Sequence, residues 1–577
     1  MSSKLEAYRK AHSPIPKEHL AWELHGSGRE NFGRQGKPVS LPLPRPGPNE
    51  LLARVDALGL CFSDIKIIAL GGDHPRLAGR NLAEEPVVLG HEVSLTIVEV
   101  GEKLQGRFQV GQRFVVQADV YYRGQNLSYG YATRGGAAQY CLLGEALHSG
   151  DAGSYLIPVL DSTGYSEAAL TEPWACVERS YHLRSRPAPK PHGLTWVVGL
   201  AGADLGNYLL GEDFDYYGGP RRVMITEALG PVVSAIRHHA FRLGFEVEET
   251  APLARLLPLL EERRTLVFDD IILLGKPRRG LIERLTTLLA KKGHLAIICP
   301  EPTEQRVPID LGRVHYDFIH LIGTSSPVIM EAYRGRRSSA LTEAGAAWFI
   351  GAGGPMGQMH LQRALEREHC PRTILATDID EARLRVLKDR FSALAEERGA
   401  RLMVLQAASV TRELIRNLTD EEGFSHILLL APHAQLAEEA WQYLGEKGIL
   451  NVFAGVARGT TARMRISPIC TRGCRIVGST GSSIEDLRFV LAETEGGHLS
   501  PDSAVAAIGG ILAIRDGLSG VAEGKFPGKV AIYPQLDFPL IPLAKLKESL
   551  PAVAERLGAG RFWNPQAEAA LLEQMLP

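Results

Sequence analysis

Two rhythms of apolar and polar positions divide the chain. Between about residues 40 and 185, short Val/Leu/Ile runs (51–56, 93–100 and 112–117 among them) are separated by Gly, Pro and Asn. Short strands at that spacing predict a β-rich, barrel-like unit, with turns at RPGPNE and EVGEKLQGRFQVGQ. From about Thr195 apolar strands alternate with helical stretches, the order of βαβ units around a parallel sheet. AAWFIGAGGPMGQMHLQRALE reads as strand, Gly-rich turn and amphipathic helix. RTILATDID, SHILLLAP, GILNVFAG and CRIVGST read as further strands, and QLAEEAWQYLGEK as a helix.

Within this second part the pattern occurs twice. DDIILLG…LAKKGHLAIICPEP…HLIGTSS resembles SHILLLA…LGEKGILNVFAG…RIVGSTG. Gly293 and Gly448 correspond, as do Gly323 and Gly478, both at an offset of 155 (448 − 293 and 478 − 323). Upstream, Gly199 in TWVVGLAG and Gly351 in AWFIGAGG stand 152 apart. A steady offset over three elements points to a tandem duplication. The other reading is the general likeness of parallel sheets.

The two Gly-rich turns differ. A dinucleotide site needs a tight turn after a strand, no side chains where backbone meets phosphate, and a helix N-terminus facing the pyrophosphate. Gly351, Ala352, Gly353, Gly354, Pro355, Met356 and Gly357 meet those needs. Gly351, Gly354 and Gly357 give GxxGxxG, and Gly353 fits the first half of GxGxxG. The following strand ends at Asp378, where a carboxylate accepts from both ribose hydroxyls of NAD and repels the 2′-phosphate of NADP; Asp380 is the alternative. The plainer reading is a Rossmann-like domain without nucleotide. The first turn has Gly199, Gly202 and a displaced Gly206, with Asp204 where phosphate would approach. That copy is expected not to bind NAD in the ordinary way and to have a structural or subunit-contact role.

Composition narrows the setting. At 577 residues the chain exceeds one core and suggests about three to four domains. Charges nearly cancel, 64 Lys+Arg against 66 Asp+Glu, which argues against a nucleic-acid partner. No run of about 18 apolar residues predicts a membrane helix, and MSSKLEAYRKAHSPIPKEHL lacks a signal-peptide core. Seven scattered cysteines, an odd number, suit a reducing cytoplasm.

The first part carries the candidate chemistry. ALGLCFSDIKII holds Gly59, Cys61, Ser63 and Asp64; EEPVVLGHEVSLTIVEVG holds Gly90, His91 and Glu92; AALTEPWACVERSYHL holds Glu172. Singly each is weak: a lone Cys is usually a small hydrophobe, a lone His a core or surface residue, and Glu-Pro a common helix start. Together, in this order and ahead of a Rossmann segment, they resemble the zinc-dependent medium-chain alcohol and polyol dehydrogenases, a family including sorbitol and threonine dehydrogenases. GAGGPMGQMHLQRALE, VFAG and IVGSTGSSIEDL are more narrowly similar to L-sorbose 1-phosphate reductase-like members.

The resemblance implies a GroES-like catalytic domain and one catalytic zinc. Cys61 and His91 are its expected firm ligands, with Glu92 and Glu172 binding directly or through water. Ser63 is expected to pass the substrate proton, and Asp64 to orient His91. An alcohol oxygen on such a zinc becomes more acidic, and hydride can leave its carbon for NAD. The four clustered cysteines of many members are missing: QADVYYRGQNLSYGYATRGGAAQYCLL has only Cys141, so no structural zinc is expected. Cys470 and Cys474 are assigned to core packing. Arg123 and Arg134 are candidates for meeting a substrate phosphate.

The expected fold is α/β: a β-rich GroES-like barrel at 1–190, a degenerate Rossmann-like domain at 191–340, an NAD-binding Rossmann domain at 341–500, and a return to the catalytic domain over 501–577. The expected activity is hydride transfer between NAD(H) and a secondary alcohol or ketone of a polyol, sugar or sugar phosphate. The expected protein is a homo-oligomer without membrane or nucleic-acid partners. A related reductase that uses NADPH or works without zinc, and a catalytically silent scaffold protein, are the alternatives.

Overall fold

A computed structural model describes residues 3–577 apart from 78, 217, 264, 265, 302, 303, 336, 368 and 560. It divides into two compact units. The first comprises Met1–Glu178, Gly354–Met359 and Gly481–Pro577; the second comprises Arg179–Gly353 and His360–Thr480. The chain re-enters the first unit at Gly481, earlier than the expected 501. The helix Ile484–Glu495 explains this: it packs on the strand Leu156–Val159, and Glu495 accepts from Leu160 N at 2.8 Å. Among the described residues no helix is long and apolar enough to cross a membrane.

The first unit is built on an eight-stranded sheet. Leu51–Gly59 lies near its middle, paired antiparallel with Glu92–Val100 on one side and with Lys529–Tyr533 on the other. Every residue of Leu51–Gly59 is buried, including Arg54 and Asp56. Those two charges are tolerated because they pair at 2.7 Å, while Tyr8 and Thr96 also donate to Asp56.

The second unit is one twelve-stranded sheet. Its order runs Glu246–Glu249, Arg222–Thr226, Leu194–Gly199, Phe268–Leu274, Leu289–Ile298, His320–Thr324. It then continues Arg475–Gly478, Leu444–Val452, Phe424–Leu429, Ala346–Ile350, Thr373–Asp378, Arg401–Gln406. The inner strands read as near-continuous apolar runs, as parallel strands covered on both faces must, whereas the edge strands Glu246–Glu249 and Arg401–Gln406 are largely exposed or half-buried. All neighbours are parallel except the central pair, where Leu321 meets Ile476 antiparallel.

The six strands before that join and the six after it follow the same order, read outward from the join. Details recur too: Trp196 Nε1 donates to Thr226 Oγ1 at 2.8 Å, and Trp348 Nε1 donates to Thr377 Oγ1 at 3.0 Å. Leu321 and Ile476 are 155 residues apart (476 − 321). A second contact, Arg306–Asp310 against Thr461–Arg465, is antiparallel and centred on Pro308↔Arg463, again 155 apart (463 − 308). At both places a residue meets the residue 155 positions away in the matching strand of the other half, an arrangement resembling a two-fold contact.

Three buried histidines in this unit, His294, His320 and His360, are held neutral. Burial and nearby arginines push His320 and His360 down to about 3. Between pH 6.5 and 3 the unfolded chain therefore binds more protons than the folded one, and stability falls as pH falls. The expected slope is about 1.4 kcal/mol per pH unit per histidine. Urea unfolding at pH 7 and pH 5 checks this: the wild type should lose more stability between the two than His360→Phe does.

Candidate metal centre and nucleotide loop

Cys61 is the N-cap of the helix Phe62–Leu70. Asp64, three residues on, accepts from Cys61 N at 3.1 Å through Oδ2. Its other oxygen lies 3.5 Å from His91 Nδ1. One carboxylate thus fixes the backbone under the thiol and stands beside the imidazole, whose Nε2 faces Ser63 Oγ at 3.4 Å. His91 is reached through Gly90, at φ +92°, where a Cβ would stand 2.8 Å from Leu58 Cδ1 and 3.0 Å from Ala137 N. Only glycine fits that backbone there.

Glu92 begins the strand that pairs with Leu51–Gly59 and is fully buried. Its Oε1 accepts from Lys529 Nζ at 2.6 Å, while its Oε2 has no partner among the described residues. One ligand atom each from Cys61, His91 and Glu92 lies within 4.8 Å of the other two. Glu172, on the helix Thr171–Tyr181, is outside that set. Its carboxyl is buried and pushed up to about 7, chiefly by loss of solvent, with His91 opposing and Glu92 adding. Cys176, one turn further along, has Sγ 3.8 Å from Glu172 Oε1.

Sequence reasoning missed Lys529, Tyr131 and Cys176. Lys529 opens the fully buried strand Lys529–Tyr533 and also donates to Leu60 O at 3.0 Å. Burial alone would lower its pKa; Glu92 beside it reverses the effect. Tyr131 packs 5.2 Å from the His91 ring, and Arg76 lies 4.6 Å over the Tyr131 ring while pairing with Asp119 at 2.6 Å. Of the two arginines singled out from sequence, Arg134 is engaged by Glu23 at 2.9 Å, and Arg123 sits over Tyr122. Cys470 and Cys474 are buried.

In the second half of the large sheet, Gly351 follows the strand Ala346–Ile350 at φ +83°, and the helix Pro355–Glu366 starts four residues later. Gly353 N donates to Asp378 Oδ2 at 2.9 Å, and Asp380 N donates to Oδ1 at 3.1 Å. A Cβ on Gly353 would stand 2.7 Å from that carboxylate. Asp378, 7% exposed, thus braces the glycine turn from below. Gly354, Pro355 and Met356 are partly exposed, and Gly357 is buried within the helix. In the first half the strand Leu194–Gly199 leads only to a three-residue 3-10 turn, Leu205–Asn207. Asp204 there is exposed and accepts from Asn207.

Residues 47–157 match the family of alcohol dehydrogenase GroES-like domains. L-sorbose 1-phosphate reductase of Klebsiella pneumoniae is 30% identical over 304 residues, 49% of this chain and 71% of that protein. Mannitol-1-phosphate 5-dehydrogenase of Aliivibrio fischeri is 29% identical over 307 residues, 49% of this chain and 70% of that protein. Sorbitol dehydrogenase of Bos taurus is 35% identical over 103 residues, 17% of this chain and 25% of that protein. Among solved structures, 2R,3R-butanediol dehydrogenase from Bacillus subtilis aligns with a TM-score of 0.49 at 15% identity, covering 89% of this chain and 99% of its own. With a reductase of this kind matched at 30% identity over 71% of its length, the chain belongs to the zinc-type medium-chain alcohol and polyol dehydrogenase family.

Proposed function

We propose that the protein is a zinc-dependent, NAD-linked oxidoreductase acting on a secondary alcohol or ketone of a polyol, sugar or sugar phosphate. The observation that carries the reading is the set of half-buried Cys61 with buried His91 and Glu92, with Glu92 Oε2 left unpartnered among the described residues. Thiolate, imidazole and carboxylate suit zinc held at about 2.0–2.3 Å. Bound there, the ion supplies Lewis acidity toward an alcohol or carbonyl oxygen.

The chain's own residues do the rest. Asp64 keeps His91 in the tautomer that presents Nε2. Lys529 holds one oxygen of Glu92 and leaves the other for the metal. Glu172, buried beside them, is a further ligand directly or through water. Ser63, half-buried at the cluster, carries the substrate proton outward. The turn from Gly351 to Gly357 cradles the pyrophosphate against the helix Pro355–Glu366. Asp378 shapes that turn and retains lone pairs for the ribose.

We read the two halves of the large sheet as a tandem duplication in which the first copy has lost its nucleotide site. Leu205–Asn207 offers no helix N-terminus for a pyrophosphate.

A zinc-replete screen of polyols, their phosphates and the matching ketoses, following NADH absorbance, tests the activity. Asp378→Gly in the same assay should move the NAD/NADP ratio toward NADP by at least about tenfold. No turnover on any of these substrates would sink the substrate class, and an unchanged ratio would sink the role of Asp378.

Two of the relatives are named for phosphorylated sugars or polyols. Arg76, over the Tyr131 ring that packs on His91, joins Arg123 and Arg134 as a candidate for a substrate phosphate, exchanging its pairing with Asp119 for it. Arg76→Ala is expected to raise KM about tenfold or more for a phosphorylated substrate and to leave its unphosphorylated analogue unaffected. An equal effect on both substrates would remove Arg76 from this role.

A further inference from the structure

Arg475 stands at the antiparallel join of the twelve-stranded sheet and is 4% exposed. Its guanidinium donates to Ser185 Oγ and reaches Ala332 O at 3.4 Å, both neutral partners. The charge it feels from its surroundings is another cation, Arg337. Burial and that repulsion pull Arg475 down to about 10. Nearby Arg186, by contrast, is matched: both oxygens of Asp270 accept from it at 2.8 Å. Among the described residues no carboxylate is ion-paired with Arg475.

A cavity of about 10 Å³ lies against Arg475, lined also by His320, Arg337, Ser185, Ser338 and Ser339. That volume holds one water-sized occupant. His320 is neutral at physiological pH, so its ring keeps one N–H donor and adds no positive charge. The lining therefore combines Arg475, His320, the serines and the exposed Arg337 with the apolar Leu183, Ile449 and Val477, and it includes no acidic residue. A buried cation without a counter-charge is strongly disfavoured. A water molecule in the cavity would satisfy hydrogen bonds but would leave the charge in place.

We propose that this cavity binds one monatomic anion of halide size, lodged against Arg475 where the two halves of the sheet join. Phosphate, with five heavy atoms, does not fit the space. The bound ion neutralises the guanidinium at the join, so the integrity of the sheet there depends on the concentration of that anion.

Thermal unfolding of the full-length protein tests this, with chloride replacing gluconate from about 1 to 100 mM at constant ionic strength. The wild-type midpoint is expected to rise by about 3 °C, while Arg475→Met, which lacks the charge, should not respond. Equal midpoints in chloride and gluconate, or an equal chloride response in the variant, would overturn the proposal. If Arg475→Met does not fold, wild-type crystals grown with bromide in place of chloride decide the matter. An anomalous peak touching the Arg475 guanidinium supports the site, and its absence refutes it.

Discussion

Cys61→Ala is expected to lose stoichiometric zinc and at least about 10³-fold in kcat/KM, with NADH binding retained. The half-buried Cys61 thiol is one of three proposed donors, and the other two are the buried imidazole of His91 and carboxylate of Glu92. A zinc site missing one of its protein ligands binds weakly, and whatever metal remains is badly placed for the substrate oxygen. The proposed nucleotide turn, by contrast, is made from Gly351 to Gly357 and does not use Cys61. Metal analysis, NADH fluorescence titration and steady-state kinetics on one preparation separate the two sites. Full activity in the alanine variant would defeat the zinc reading. Loss of NADH binding together with zinc would point to a folding defect, and circular dichroism would detect it.

Lys529→Met is expected to cost about 3–5 kcal/mol of stability in the metal-free protein. Lys529 is the cation within hydrogen-bond distance of Glu92, whose side chain has no solvent exposure. Removing the ammonium leaves a carboxylate in a dry interior with one unpartnered oxygen already. The double variant Lys529→Met/Glu92→Gln should recover most of the loss, because the uncompensated charge is gone. Denaturant midpoints of the four proteins close the cycle. If the double variant is no more stable than Lys529→Met, then packing rather than charge is what Lys529 provides.

What the sequence disclosed follows from distance along the chain. Cys61 and Asp64 are neighbours on one helix turn, and Gly90, His91 and Glu92 are consecutive, so short motifs carry them. The alternation of apolar strands and helices likewise forecast a parallel sheet, because each strand is a local run. Lys529 was hidden because its partner Glu92 lies 437 residues away. Nothing in GKVAIYP marks a lysine at the start of a fully buried strand. Tyr131 and Arg76 were hidden for the same reason: Tyr131 meets His91 through a ring contact, and Arg76 reaches the cluster only by lying over Tyr131. Asp378 was found by its position after the strand, but its bond to Gly353 N, which makes it a brace for the turn, is a property of the folded backbone.

The join between Leu321 and Ile476 has a consequence for how the protein responds to dilution. Contacts between strands in matching positions of two like sheets ordinarily tie separate molecules together, and they weaken as the molecules grow scarce. Here both participants belong to one polypeptide, so that contact keeps its strength at any concentration. The cost moves to the time axis: the two strands must find each other across 155 residues of chain, 321 to 476, which slows the search.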